Sequence, residues 1–449
     1  MKAAFLFEWK HWWRTRAKVG AIFMFLSLCV YSMYTGKSQY NKQVHEIDEI
    51  LADQEEELEK VASWMENENK GPEGNAYIDV TTPLWAIWHT PSWIVKKPSP
   101  MMVYSIGQTE SFGYYKKVTE WSTIYDNDLV QELSNPEKLT SSTLDFGFVV
   151  IYLAPLLMII LLYNIKGYEQ DSNMLGLLRV QLHSIGQWLV GRILYYYLMV
   201  MGGIFFSMAI FGIITTVLPS NAMDFMAYFI TVAVYLLIWT ILLSLVLVLN
   251  TGSTLKAVIM SAIWLVLTIL IPGSVHQSMA IAYPSSYMTA FLDAKRNGTN
   301  ELYGLYGLSQ DSLREVMLDP KLELHGTASA RDSLIGEDLI SNALPYLANL
   351  KTRNAAADIE QENYARNRYI RSRYFFNPVT FFQNRLNAIC QTDYYAYRAF
   401  RDRIQEVIDR RSATRAMDVW NKIEVDKERL NFYNTHFNLL DKRVDDEEL

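Results

Sequence analysis

The residues of this chain best suited to directed chemistry lie in one short segment: Gly167-Tyr168-Glu169-Gln170-Asp171-Ser172-Asn173-Met174-Leu175-Gly176-Leu177-Leu178-Arg179-Val180-Gln181. Two carboxylates precede a turn rich in leucine. Acidic groups at the start of a short helix complement the positive end of its dipole, and Asp171 or Ser172 can cap its free amides. Behind them, Met174, Leu175 and Leu178 form an apolar face suited to a cleft on a partner. The same composition also describes a plain connecting loop whose leucines dip into the membrane interface. Elsewhere the sequence argues against catalysis. There is no G-x-x-x-x-G-K-[ST] loop to cradle phosphates, so ATP hydrolysis by this chain is not expected. No H-E-x-x-H occurs, and the 7 histidines are scattered without metal-ligand spacing, so no metal site is expected. A G-x-S-x-G nucleophile elbow is also missing.

The elements that must position this segment are set by hydropathy. Half of the residues are hydrophobic, yet the mean hydropathy is only +0.02, because long apolar runs alternate with strongly polar stretches. Five runs, at 19–35, 146–165, 193–218, 225–249 and 257–275, approach the ~20 residues that cross ~30 Å of hydrocarbon. The first follows a long leader with three tryptophans and no small-x-small cleavage site, which predicts an uncleaved anchor and not a signal peptide. None of the five contains Asp, Glu, Lys, Arg or His. Ion-coupled transporters place ionisable groups at mid-membrane, so that class is disfavoured and any energy must come from a partner.

Orientation follows from the cations beside the runs. Residues 1–18 carry Lys2, Lys10, Arg14, Arg16 and Lys18 against Glu8 alone, and the loop after the second run holds Lys166, Arg179 and Arg192. Residues 36–145 instead carry nine Lys/Arg against nineteen Asp/Glu. This predicts a cytoplasmic N-terminus, a cytoplasmic loop at 166–192, and extracytoplasmic regions at 36–145 and 276–449. Residues 1–18 read as an interfacial elbow helix: Phe5, Leu6, Trp9, Trp12 and Trp13 share a face opposite Lys2, Glu8, His11 and Lys18. Past the first run, Val44, Ile47, Leu51, Leu58, Val61 and Met65 continue a helical spacing to about Gly71-Pro72.

Between Tyr77 and Tyr125, β-branched and aromatic residues punctuated by Pro83, Pro91, Pro98 and Pro100 predict short extended segments, giving a mixed α/β first region. Its Trp85, Trp88, Trp93 and Trp121 read as core packing before they read as a substrate surface. The second region reads as mainly helical at 355–373, 394–411 and 420–440, with a turn at Asn377-Pro378. The arginines of 366–373 read as a solvated helix face, and no nucleic-acid partner is expected. Cys29 and Cys390 fall in different regions and are not expected to pair.

The segment at 167–181 resembles a loop of permease subunits in the type-2 ABC exporter family. Glu169 and Asp171 match an acidic pair, Leu175, Leu177 and Leu178 a leucine turn followed here by Arg179, and Arg192 a later basic residue. Ser172-Asn173 stands where that family has Gly-Thr. The elbow with Phe5, Trp9, Trp12 and Trp13, and the large region after the first run, also fit a subgroup with large periplasmic insertions, similar to permeases of copper-maturation and gliding-motility clusters.

The resemblance implies a mainly α, polytopic helical membrane protein of the bacterial inner membrane. Its partner chain would supply ATP and Mg and dock on Glu169, Asp171, Leu175, Leu177, Leu178 and Arg179. It also implies a homodimer or a heterodimer with a related permease, embedded in the lipid bilayer, with periplasmic or lipoprotein partners in reach. Such permeases have six spans against five here, so a sixth is expected beyond Leu449. Two further readings stand beside transport: a mechanotransmitter driven by the same ATPase, and a membrane-anchored scaffold or enzyme with none.

Overall fold

A single helix carries the chain from the first apolar run deep into the polar region, because nothing between residues 16 and 64 stops it: there is no proline and only Gly20 and Gly36 lack a side chain. In the computed structural model the described residues are 2–438, except 68–69, 76, 91, 110–111, 125–143, 168, 170–173, 175, 177–179, 181–183, 250, 284–290, 298–299, 301–336 and 375–376. Helix α1 (Lys2–Arg14) is separated from the long α2 (Arg16–Trp64) by a single extended residue, Thr15. The first part of α2 exposes large apolar side chains such as Phe23 and Met24, while its far part buries Gln43, Ile47, Gln54 and Val61. Gly36 allows close approach: a Cβ there would stand 2.3 Å from the Val103 carbonyl oxygen.

Beyond α2 come α3 (Pro83–His89), strand β1 (Ser92–Val95), a 3-10 turn at Pro100–Val103, and strand β2 (Tyr115–Val118). The extended reading of 77–125 is corrected at α3, where Pro83 sits in the first turn with its φ already helical and Leu84 to His89 follow without a breaker. The two strands pair antiparallel, Ser92 opposite Val118 and Val95 opposite Tyr115. Two strands alone are marginal. Here Ile94 and Val118 pack on Phe400, Ile404, Val407 and Ile408 of a later helix.

The apolar runs become α4 (Phe146–Leu162), α5 (Ile185–Ile214), α6 (Ala222–Val248) and α7 (Ser253–Ala282). Of the five expected spans, α2, α5, α6 and α7 are long and apolar enough to cross a membrane, and α4 is shorter and largely buried among them. Further along the described residues come α8 (Glu337–Arg373), α9 (Pro378–Ile389), α10 (Tyr394–Trp420) and α11 (Lys427–Phe437). The turn expected at Asn377-Pro378 is the start of α9: the Asn377 side chain accepts from the Val379 amide and Pro378 fills the first turn. The helix expected at 420–440 is α11 alone, since α10 runs on to Trp420 and the chain turns at Lys422 with φ 52°.

The two polar regions pack as one body and not as separate domains. Arg411 of α10 is buried and donates to Glu120 (2.9 Å), Ser92 Oγ (2.7 Å) and the carbonyls of Thr90 (2.7 Å) and Ile87. Val61 of α2 joins Ala86, Ile87, Leu430, Tyr433 and Phe437 in a shared apolar cluster. Both cysteines are free thiols buried in the main core.

Two of the apolar helices are broken by proline and repaired from outside. Val149–Leu153 of α4 and Val266–Leu270 of α7 are π turns, followed by Pro155 and Pro272. A proline offers no amide to the preceding turn, and an orphaned carbonyl in an apolar surrounding is costly. Tyr235 of α6 donates to the Ile151 carbonyl, and Trp264 of α7 to that of Tyr152 at 3.1 Å. Asn377 donates to the Leu267 carbonyl at 2.9 Å, the acceptor that π spacing would have assigned to residue 272. Asn377 thus caps α9 and repairs α7. Asn377→Ala should therefore lower unfolding stability by about 2 kcal/mol, from one lost cap and one unmet carbonyl. Thermal unfolding of the purified protein in detergent checks this; an unchanged midpoint would remove the repair from the account.

Candidate functional site

The site is built from the middle of α1, the first turns of α2 and α5, and the loop after α4. Arg192 and Tyr196 lie one turn apart near the start of α5, on a single face of the helix. Both are buried, with Arg192 only 1% exposed. The Arg192 guanidinium reaches two carboxylates from different segments: its Nε donates to Glu8 of α1 and its Nη1 to Glu169 of the loop. Glu8 accepts a second bond from the Tyr196 hydroxyl at 2.6 Å. Lys18, at the start of α2, donates to the Tyr196 hydroxyl at 2.9 Å and to the Leu161 carbonyl of α4 at 3.0 Å.

Two carboxylates and two cations therefore share one enclosed volume and balance in charge. Burial of this kind is tolerated only when every charge has a partner and the geometry is good. Phe7 and Trp188 flank the guanidinium, with its carbon 5.3 and 4.4 Å from their ring centroids. Glu169 keeps one oxygen, Oε2, buried without a hydrogen bond to any described residue. Burial lowers the pKa of His11, on the next turn of α1, against the opposing pull of Glu8.

The sequence-predicted residues divide clearly. Glu169 and Arg192 are brought together. Asp171, Leu175, Leu177, Leu178 and Arg179 lie outside the described residues. Their neighbours Met174 and Val180 are solvent-exposed, Val180 at 87%. In the elbow, Trp9 and Trp13 point outward with Leu6, whereas Phe5 and Trp12 pack on the core. Glu8 and Lys18, expected on the solvated face of the elbow, are buried instead, because each finds its partner on α5. Sequence reasoning missed Glu8, Lys18 and Tyr196. The available signal was a lone carboxylate in an otherwise basic leader and an Arg–Tyr pair at i, i+4 opening an apolar run.

Comparison with known proteins bears on the other end of the chain. Residues 347–437 match a domain of unknown function (DUF3526). The matched stretch begins inside α8, takes in α9 and α10, and closes where α11 ends. No curated protein and no solved structure matches the chain.

Removing the shared cation strands two buried carboxylates, so Arg192→Met should destabilise the fold by about 3–5 kcal/mol. Arg192→Lys should recover only part, since a compact ammonium cannot span two carboxylates as a fork can. Thermal midpoints of both variants, with an exposed control such as Arg368→Met, check this. Equal stability of the lysine variant and the wild type would show that the double contact contributes nothing.

Proposed function

We propose that this chain is the membrane subunit of an ATP-binding-cassette transporter, drawing energy from a separate ATPase that docks on the loop after α4. The observation that carries the reading is the shared guanidinium. Glu169 stands at the head of the acidic and leucine-rich segment that resembles the family's docking loop, and Arg192 ties it to both α1 and α5. A force applied to the segment after Glu169 meets the elbow and a long apolar helix through charges that cannot separate in a dry interior without a large penalty. The cluster also puts α1 and the loop at the same end of the helices, as expected if both basic segments are cytoplasmic.

In this reading the chain sits in the bacterial inner membrane, pairs with a second permease subunit, and presents the body formed by α3, the strands, α10 and α11 to the periplasm. ATP and Mg belong to the partner chain. Mechanical transmission to periplasmic partners is the second reading, and α2 favours it: an unbroken 49-residue helix about 70 Å long joins the charge cluster to the polar body. A scaffold or enzyme that needs no ATPase is the third.

Co-purification from the native membrane separates these classes. An ATP-binding subunit should be recovered with the intact protein, and its loss under mild extraction would count against the first two readings. Replacing Leu175 and Leu178 with Asp should weaken that association at least about a hundredfold, given about 1.5–3 kcal/mol for each buried leucine. Wild-type recovery of the complex would sink the docking assignment. Stimulation of ATPase activity by a cargo that accumulates across liposomes distinguishes transport from mechanical work.

A further inference from the structure

Helix α9 lies among the apolar helices and not beside them. Phe382 packs on Tyr235, the middle residue of α6, with ring centroids 5.4 Å apart. Asn377 reaches Leu267, near the middle of α7. Val379, Phe382 and Leu386 belong to the same core as α4, α5 and α6. The opposite side of α9 is polar and faces a cavity of about 420 Å³, bounded by α4, α7, α8 and the 105–108 turn. That volume is in the range of small-ligand pockets.

The lining has a definite chemistry. Five carboxamide residues line the cavity: Gln108 from the 105–108 turn, Asn367 from α8, and Gln383, Asn384 and Asn387 from α9. Gln383 accepts from the Tyr152 hydroxyl at 3.0 Å, and Asn387 from Ser105 Oγ at 2.6 Å, which fixes both side chains while their amide nitrogens have no partner among the described residues. Asn367 and Asn384 make no hydrogen bond to a described residue. Tyr152 and Tyr374 add aromatic faces, and no lysine or arginine lines the cavity among the described residues. The one carboxylate, Asp145, is engaged by the amides of Phe148 (2.7 Å), Ile106 (2.9 Å) and Gly107 (3.4 Å).

Carboxamides offer paired donors and acceptors to neighbouring hydroxyls, and aromatic faces cover the C–H side of a ring. With no lysine or arginine in the lining, and only the His276 imidazole there beside the Asp145 carboxylate, the cavity has little to offset the desolvation of a phosphate or carboxylate. We propose that this cavity binds an uncharged, polyhydroxylated group of the glycosyl type, as a free sugar or as the headgroup of a lipid. The proposal takes α4 to α7 as membrane helices but does not depend on an ATPase partner, so either idea can fail alone. It gives the uncharged apolar helices the polar lining that a hydrophilic cargo requires, supplied by α9 from the C-terminal region.

The test uses the full chain in phosphatidylcholine nanodiscs without any ATPase. Binding of maltose, of octyl glucoside below its micellar concentration, and of octyl sulfate and inorganic phosphate is followed by saturation-transfer NMR. Saturable binding of a glycoside that falls at least tenfold in Asn367→Leu/Asn384→Leu, and again in Asn384→Trp, supports the site. These side chains have no hydrogen-bond partner among the described residues, so thermal midpoints should stay within a few degrees, and either variant alone suffices if the other unfolds. Binding of maltose and octyl glucoside alike identifies a free sugar; binding of octyl glucoside alone identifies a lipid headgroup. No saturable glycoside binding, binding indifferent to both variants, or tighter binding of the sulfate or phosphate overturns the proposal.

Discussion

The Arg192 guanidinium is the contact on which the arrangement of the basic end depends. It is buried, carries a full charge, and is shared by carboxylates that lie 184 and 23 residues away in sequence. Remove it and α1, α5 and the loop after α4 lose the only charge among the described residues that bonds Glu8 and Glu169 together. Lys18 and Tyr196 extend the same network to α2 and α4. An apolar contact would hold these elements equally well but would tolerate sliding. Paired charges in a dry volume resist separation, because each would be left buried and uncompensated. That is the property a segment needs if it is to pass on a movement.

The rest of the helical body follows a second constraint, the satisfaction of backbone groups where water is absent. Pro155 and Pro272 each remove a helical donor; the Leu267 carbonyl that Pro272 leaves is met by Asn377, and in α4 the carbonyls of Ile151 and Tyr152 beside the break are met by Tyr235 and Trp264. The donor for α7 comes from Asn377, so the position of α9 is tied to the break in α7. The polar side of α9 follows as a consequence: a helix held among apolar neighbours by one face must put its carboxamides somewhere, and they line a cavity.

Much of the architecture was legible in the sequence because hydropathy is a long-range signal. The apolar runs became helices, and the helical spacing past residue 40 does extend α2 into the polar region, although the helix ends at Trp64 and not near Gly71-Pro72 as that spacing predicts. Glu169 and Arg192 could be singled out from charge beside an apolar run. Their partners could not, because Glu8 reads as a solvated residue until α5 is beside it. Helix α9 was lost for a different reason: Asn-Pro signals a turn or a helix start equally well, and only the Leu267 carbonyl decides between them. The same ambiguity hid α3 behind Pro83. The packing of the two polar regions into one body rests on Arg411 and Glu120, 291 residues apart, which no local pattern connects.

The central claim is that the basic end is held by shared charge and not by shape alone. It is tested most directly by comparing Arg192→Met with a quadruple variant, Glu8→Gln/Lys18→Met/Glu169→Gln/Arg192→Met, by chemical unfolding in the same detergent. Neutralising the whole cluster removes every unpaired charge, so the quadruple variant should be more stable than the single one despite three further substitutions. If it is less stable than Arg192→Met, the four groups act independently, and the network that joins the loop to the helices does not exist.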